Sequence, residues 1–201
     1  MISNPDYQEE KIQDVQNQLR VSAGVKDYLR ENCSKVIVEI ANVLIAALLS
    51  GKKLLLCGNG GSAADSQHFA AELIGRFQYN RPPLPAIALS TDTSILTAVS
   101  NDFDFSQIFS RQVQALGHEG DVLVAISTSG NSENALQALH SAKEKKMTCI
   151  VLTGRDGGKM ASAADYAIII PEKESQRIQE GHITIIHLWC SLIEKAMFPS
   201  P

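Results

Sequence analysis

Residues 53–77 read KLLLCGNGGSAADSQHFAAELIGRF, and this stretch decides the fold. Lys53 to Cys57 is an apolar run that predicts a buried strand. Gly58, Gly60 and Gly61 then permit a tight turn and close approach of a ligand to main-chain N–H groups. Ser62 is a good N-cap, and the alanine-rich segment after it predicts a helix over 62–78. Strand, glycine turn and helix start together make an anion site, because the first helical turn offers unpaired N–H donors at the positive end of the dipole. The loop lacks the G-x-G-x-x-G spacing of dinucleotide binders and the lysine of a P-loop. Glycines that merely turn the chain would look the same. His68 and Glu72 are four apart on the helix, so they project from one face and can meet one metal ion or one substrate. An ordinary surface His–Glu pair has the same spacing.

Outward from this stretch the chain alternates strand and helix. Strands are expected at 53–57, 85–89, 121–126, 148–152 and 166–170. Helices are expected at about 62–78, 93–100, 106–116, 132–146, 158–163 and 175–197. Near-continuous apolar runs, such as 122–126 and 149–152, suit parallel strands covered on both faces. The alternation predicts a three-layer α/β/α sandwich around a five-stranded parallel sheet. Ligands bind outside the carboxyl ends of such strands, at the topological switch point, so the loops after strands carry the chemistry.

The third strand ends in Ser127-Thr128-Ser129-Gly130-Asn131-Ser132 and runs into a helix. Four hydroxyls at a helix start describe a second anion cradle, built without Lys or Arg and suited to a phosphomonoester. A serine-rich cap is the plainer alternative, but a cap needs one serine. Ser90, Thr91 and Asp92, then Asn101 and Asp102, bring polar groups to the same sheet edge. Thr153 to Gly158 makes a further turn that shapes the fold. The last helix holds Arg177, Gln179, Glu180, His182 and His187 beside a long apolar face. Either histidine is equally readable as structural.

Two helices precede the first strand. Residues 1–27 carry a weak stripe (Ile12, Val15, Leu19), and 30–50 carry a strong one (Val36, Ile37, Ile40, Val43, Leu44, Ala47, Leu48) ended by Gly51. The strong stripe is expected at contacts between subunits. The 201 residues, 44% of them hydrophobic, suit one α/β domain with a helical extension over about 1–51. A net charge of −4 gives no reason to expect direct nucleic-acid binding. Cys33, Cys57, Cys149 and Cys190 form no C-x-x-C pair, which argues against a disulfide framework or a thiolate zinc site. No charged n-region with an apolar h-region opens the chain, so no membrane attachment and a cytoplasmic location are expected.

CGNGGS with HFAAE, then AISTSGNS, LTGRDGG and RIQEGH, resemble the sugar isomerase (SIS) domain family, specifically its phosphoheptose isomerases, over essentially the whole chain. The resemblance implies a cytoplasmic homotetramer that converts D-sedoheptulose 7-phosphate to D-glycero-D-manno-heptose 7-phosphate, toward the heptose of the lipopolysaccharide core. It implies one zinc ion per subunit, held by His68, Glu72, Gln179 and His187, with Glu72 as general base and His187 as acid. It places substrate contacts on Asn59, Gly60, Gly61, Glu72, Asn101, Asp102, Ser127, Thr128, Ser129, Ser132 and Gln179.

A ketose–aldose isomerisation passes through an enediol and needs a base, an acid and an electrophile near the oxygens. Gln179 and His187, eight apart, are separated by roughly 12 Å of helical rise. They share an ion only if Gln179 leaves the regular helix or a neighbouring subunit supplies one of them. Gln176 stands where the family pattern has an acidic residue before RIQE. The alternative implied by the same domain family is a non-catalytic regulator that binds the replication initiator DnaA; it lacks the Glu–His pair that this chain keeps.

Overall fold

The structure, a computed structural model, describes residues 5–198. The expected helix over 1–27 and the domain limits 1–201 extend beyond them at both ends. Five parallel strands form one sheet in the order β2-β1-β3-β4-β5: β1 (Leu54–Gly58), β2 (Ala86–Ala88), β3 (Val122–Ser127), β4 (Thr148–Gly154) and β5 (Tyr166–Ile170). All four pairings are parallel. Along each central strand alternate residues feed opposite layers: Leu54, Leu56, Val122 and Val124 one, Leu55, Cys57, Leu123 and Ala125 the other. Both layers are dry, which is why these strands read as unbroken apolar runs. The expected three-layer sandwich is the observed one.

Strand order reverses between β1 and β3, so the loops after these two strands face each other across the switch point. They lead into α3 (Gly61–Ile74) and α6 (Glu133–Glu144). The longest regular helix after them is α8 (Ser175–Met197), which packs on the same layer as α3. Between lie α4 (Thr93–Asp102), α5 (Ser110–Leu116) and α7 (Gly158–Ala163).

Several boundaries differ from expectation for local reasons. The helix expected over 62–78 starts at Gly61, with Gly60 as its N-cap at φ 57°, and ends at Ile74. Ser62 is therefore not the cap but a buried residue of the first turn. The helix expected over 106–116 is split, because Asp104 accepts from Ser106 N and starts a short 3₁₀ turn at Phe105–Gln107 before α5 begins.

The two N-terminal helices are one rod. A π-helical turn, Leu29–Cys33, joins α1 (Pro5–Tyr28) to α2 (Ser34–Leu49) without a break. Of the strong stripe of α2, Ile37, Ile40, Leu44 and Leu48 are buried within this chain's own core, and Val36, Val43 and Ala47 are half-buried against it. Trp189 Nε1 of α8 donates to Ile37 O at 3.1 Å from the same side. One chain thus covers the centre of the stripe and leaves its flanks part-exposed. The rod is apolar and long enough to cross a bilayer by length and composition alone, and its α2 half packs its buried residues into the core. The stripe left uncovered is the weak one on α1, where Ile12, Val15 and Leu19 are 50%, 55% and 65% exposed.

Candidate active site

The β1–α3 and β3–α6 loops enclose a cleft of about 120 Å³ lined by Asn59, Ser62, Ile126, Ser127, Thr128, Ser129, Ser132 and Gln179. Ser127 Oγ lies 2.8 Å from Ser132 Oγ and 3.4 Å from Ser129 Oγ. Ser132 is the N-cap residue of α6 yet makes no capping bond. Its hydroxyl is turned into the cleft, so the serines are a cradle and not an ordinary cap. Gly130, at φ 64°, lets this loop lie backbone to backbone against Gly157, and Met160 N donates to Gly130 O at 2.9 Å.

The two loops are fastened by a reciprocal amide pair: Asn59 Nδ2 donates to Asn134 Oδ1 at 2.8 Å, and Asn134 Nδ2 donates to Asn59 Oδ1 at 2.9 Å. Asn59, expected as a substrate contact, therefore spends its side chain bracing the cradle. Asn134, buried at the first turn of α6, is a bracing residue that the sequence reading did not single out. Gly61 has the Gln179 side-chain amide against its Cα, where a Cβ would collide with it. Asn101 donates to Asp102 Oδ1 at 2.8 Å; both are exposed at the end of α4 and line none of the cavities beside the cradle.

A second group of functional atoms forms where α3 and α8 cross. His68 Nε2 is 3.0 Å from Glu72 Oε1 and 3.2 Å from His187 Nε2. The ligand atoms of His68, Glu72 and His187 all lie within 4.8 Å of one another. Two imidazole nitrogens and a carboxylate at this spacing are a donor set that suits zinc. Gln179 sits inside the regular helix α8, which closes the first of its two routes to this group. Its amide is at the cradle end, beside Gly61.

Two titratable groups flank the site, Asp65 half-buried and His182 buried. Burial pushes the Asp65 carboxyl up to about 6, although nearby His68 opposes the shift, and its Oδ2 has no partner. Asp65 shares the helix face of Gly61, His68 and Glu72, a spacing that was available in the sequence. His182 is fully buried, with Nε2 3.1 Å from Thr153 O. Burial pulls its pKa down to about 4, so it is a neutral structural histidine.

The SIS domain family model matches residues 20–154. The phosphoheptose isomerase of Geobacter sulfurreducens is 53% identical over 188 residues, 94% of this chain and 100% of that protein. This chain belongs to the phosphoheptose isomerase branch of the SIS domain family. A phosphoheptose isomerase of Aquifex aeolicus is likewise 53% identical to this SIS domain, over 92% of this chain and 96% of that one. Two solved phosphoheptose isomerases share the fold. The Neisseria gonorrhoeae structure has a TM-score of 0.83 at 44% identity, covering 94% of this chain and 99% of that one. The Francisella tularensis structure has a TM-score of 0.89 at 38% identity, covering 92% and 98%. The regulator reading gains no support from these relatives.

Proposed function

We infer that this chain is a phosphoheptose isomerase: a sugar-phosphate ketose–aldose isomerase that converts D-sedoheptulose 7-phosphate to D-glycero-D-manno-heptose 7-phosphate for heptose biosynthesis. Kinship to proteins of that name over nearly the whole chain supports it. The observation that carries the substrate assignment is the separation of the two functional groups. Gly61, at the cradle, and His68, at the crossing of α3 and α8, are seven residues apart on α3, roughly 10 Å of rise. An open-chain heptose phosphate with its phosphate in the serine cradle spans that length to its C1 and C2. A sugar phosphate shorter by several carbons leaves C1 and C2 short of Glu72 and His187.

Ser127, Thr128, Ser129 and Ser132 hold the phosphate through neutral hydroxyls, with the α6 N-terminus behind them. Glu72 takes a proton from C1 while His187 protonates the oxygen developing at C2. Return of a proton to C2 and loss of the one on O1 complete the aldose. Zinc held by His68, Glu72 and His187 would supply a Lewis-acid centre for the carbonyl oxygen. Gln179 joins that set only from a neighbouring chain. The exposed stripe of α1 is the surface that builds the homotetramer. The enzyme works in the cytoplasm, and its product is destined for the lipopolysaccharide core.

Incubation with sedoheptulose 7-phosphate and analysis of the product tests the reading: the aldose heptose 7-phosphate should accumulate to equilibrium. Recovery of unchanged substrate from metal-supplemented, folded protein would overturn it. Sedimentation showing a stable monomer at micromolar concentration would remove the tetramer.

A further inference from the structure

α3 ends at Ile74, so the carbonyls of its last turn have no partners within the helix. Two of them are taken by one side chain. Arg81 Nη2 donates to Glu72 O and Nη1 to Leu73 O, each at 2.6 Å. Nε of the same guanidinium donates to Glu194 Oε1 at 3.2 Å. The two side chains are 2% and 1% exposed. Glu194 also accepts the backbone N–H of Phe77 at 3.1 Å and of Gln78 at 2.8 Å. Phe77 in turn places its ring 5.9 Å from the ring of His187. Glu194 follows His187 by seven residues, two turns along the same face of α8.

One buried ion pair thus grips the backbone of Glu72, the loop bearing Phe77 and the helix bearing His187. We propose that Arg81 and Glu194 are positioning residues that set the distance and angle between Glu72 and His187. The inference rests on the acid–base roles given above. Stability alone does not call for this arrangement, since an apolar pair of similar volume often serves a core as well as a buried ion pair. An apolar pair would leave the carbonyl of Glu72 and the N–H groups of Phe77 and Gln78 without these bonds, and Leu73 O with Leu84 N–H alone. Only a planar fork such as arginine's reaches two carbonyls and a carboxylate at once; the single ammonium of lysine does not. The hydrogen bonds of Arg81 and Glu194 reach none of the β3–α6 loop that carries the cradle serines.

The test uses Arg81→Lys and Glu194→Gln, each assayed on sedoheptulose 7-phosphate at a temperature where circular dichroism shows it folded; either folded variant decides. Displacing a reacting group by about 1 Å costs on the order of 100-fold, so kcat should fall by about that factor while KM holds. Arg81→Lys added to Glu72→Gln should cost little more, because no base remains to be misplaced. Full kcat in a folded variant, a raised KM with kcat unchanged, or an undiminished loss in the Glu72→Gln background would each overturn the proposal. Glu72→Gln turning over at the wild-type rate would instead sink the acid–base reading beneath it.

Discussion

His182 and His187 stand five residues apart on one helix and belong to different regions of the molecule. His182 faces the sheet at the cradle end of α8, is sealed from solvent, and is tied to Thr153 O. His187 is half-buried at the crossing with α3, where its ring meets His68 and Phe77. The cradle is made of short side chains and backbone, fastened within itself by the serine contacts and the Asn59–Asn134 pair. The acid–base corner is made of long side chains reaching from two helices. A cradle of neutral hydroxyls can be rigid and self-contained. A corner that moves protons needs access, and it borrows its rigidity from behind, where Arg81 and Glu194 sit.

Breaking the corner alone should have the largest effect. Glu72→Gln keeps the shape and removes the base, so turnover should fall on the order of 100- to 10,000-fold. Substrate affinity at the cradle should persist, as measured by calorimetry with sedoheptulose 7-phosphate. Equal turnover by wild type and variant would erase the distinction between the two regions.

The difference between the histidines can be sharpened by pH. The folded pKa of His182, about 4, is below its unfolded value of 6.5. Above pH 6.5 both states are neutral and the group has no effect on stability. As pH falls from 6.5 to 4, the unfolded chain takes up the proton and the folded one does not, so stability is lost. That loss is about 3 kcal/mol over the window. Urea unfolding of His182→Gln should lack this component of the slope. An identical slope in wild type and variant would mean that the ring takes up its proton as readily in the folded chain as in the unfolded one.

The smallest change concerns the cradle. Ser129→Ala or Ser132→Ala should weaken binding of the phosphorylated sugar by about 1–3 kcal/mol with stability nearly unchanged. Unaltered affinity in both variants would move the phosphate to the β1–α3 loop.

The cradle was far easier to read in the sequence than the corner's support. Its residues are contiguous, 127–132, and follow an apolar run that had to be a strand. The strands and most helices were readable for the same reason: each shows its period locally. The order of strands was not, since nothing in Leu54–Gly58 states which neighbour it takes. The rod was read as two helices because the π-turn has no composition of its own. The cover that one chain gives the α2 stripe, Trp189 and the rest of α8, was not legible because it lies some 150 residues away. Arg81 and Glu194 are 113 apart, and neither has a motif. Among the site residues, His68 and Glu72 were given by helical spacing, whereas His187 was set apart from His182 by the family resemblance and not by any local pattern.

The contact between Gly130 and Gly157 bears on how this site can evolve. A methyl group at 130 would overlap the carbonyl of Gly157, and a methyl at 158 would overlap Gly130 in return. The two loops therefore behave as one inherited character, since neither can accept a side chain while the other stays in place. Drift can sample the cleft only through the side chains that line it, such as Thr128 and Gln179, at the cost of the contacts those side chains make. A library randomised at 130 should return glycine, so diversification toward other sugar phosphates has to enter by those other doors.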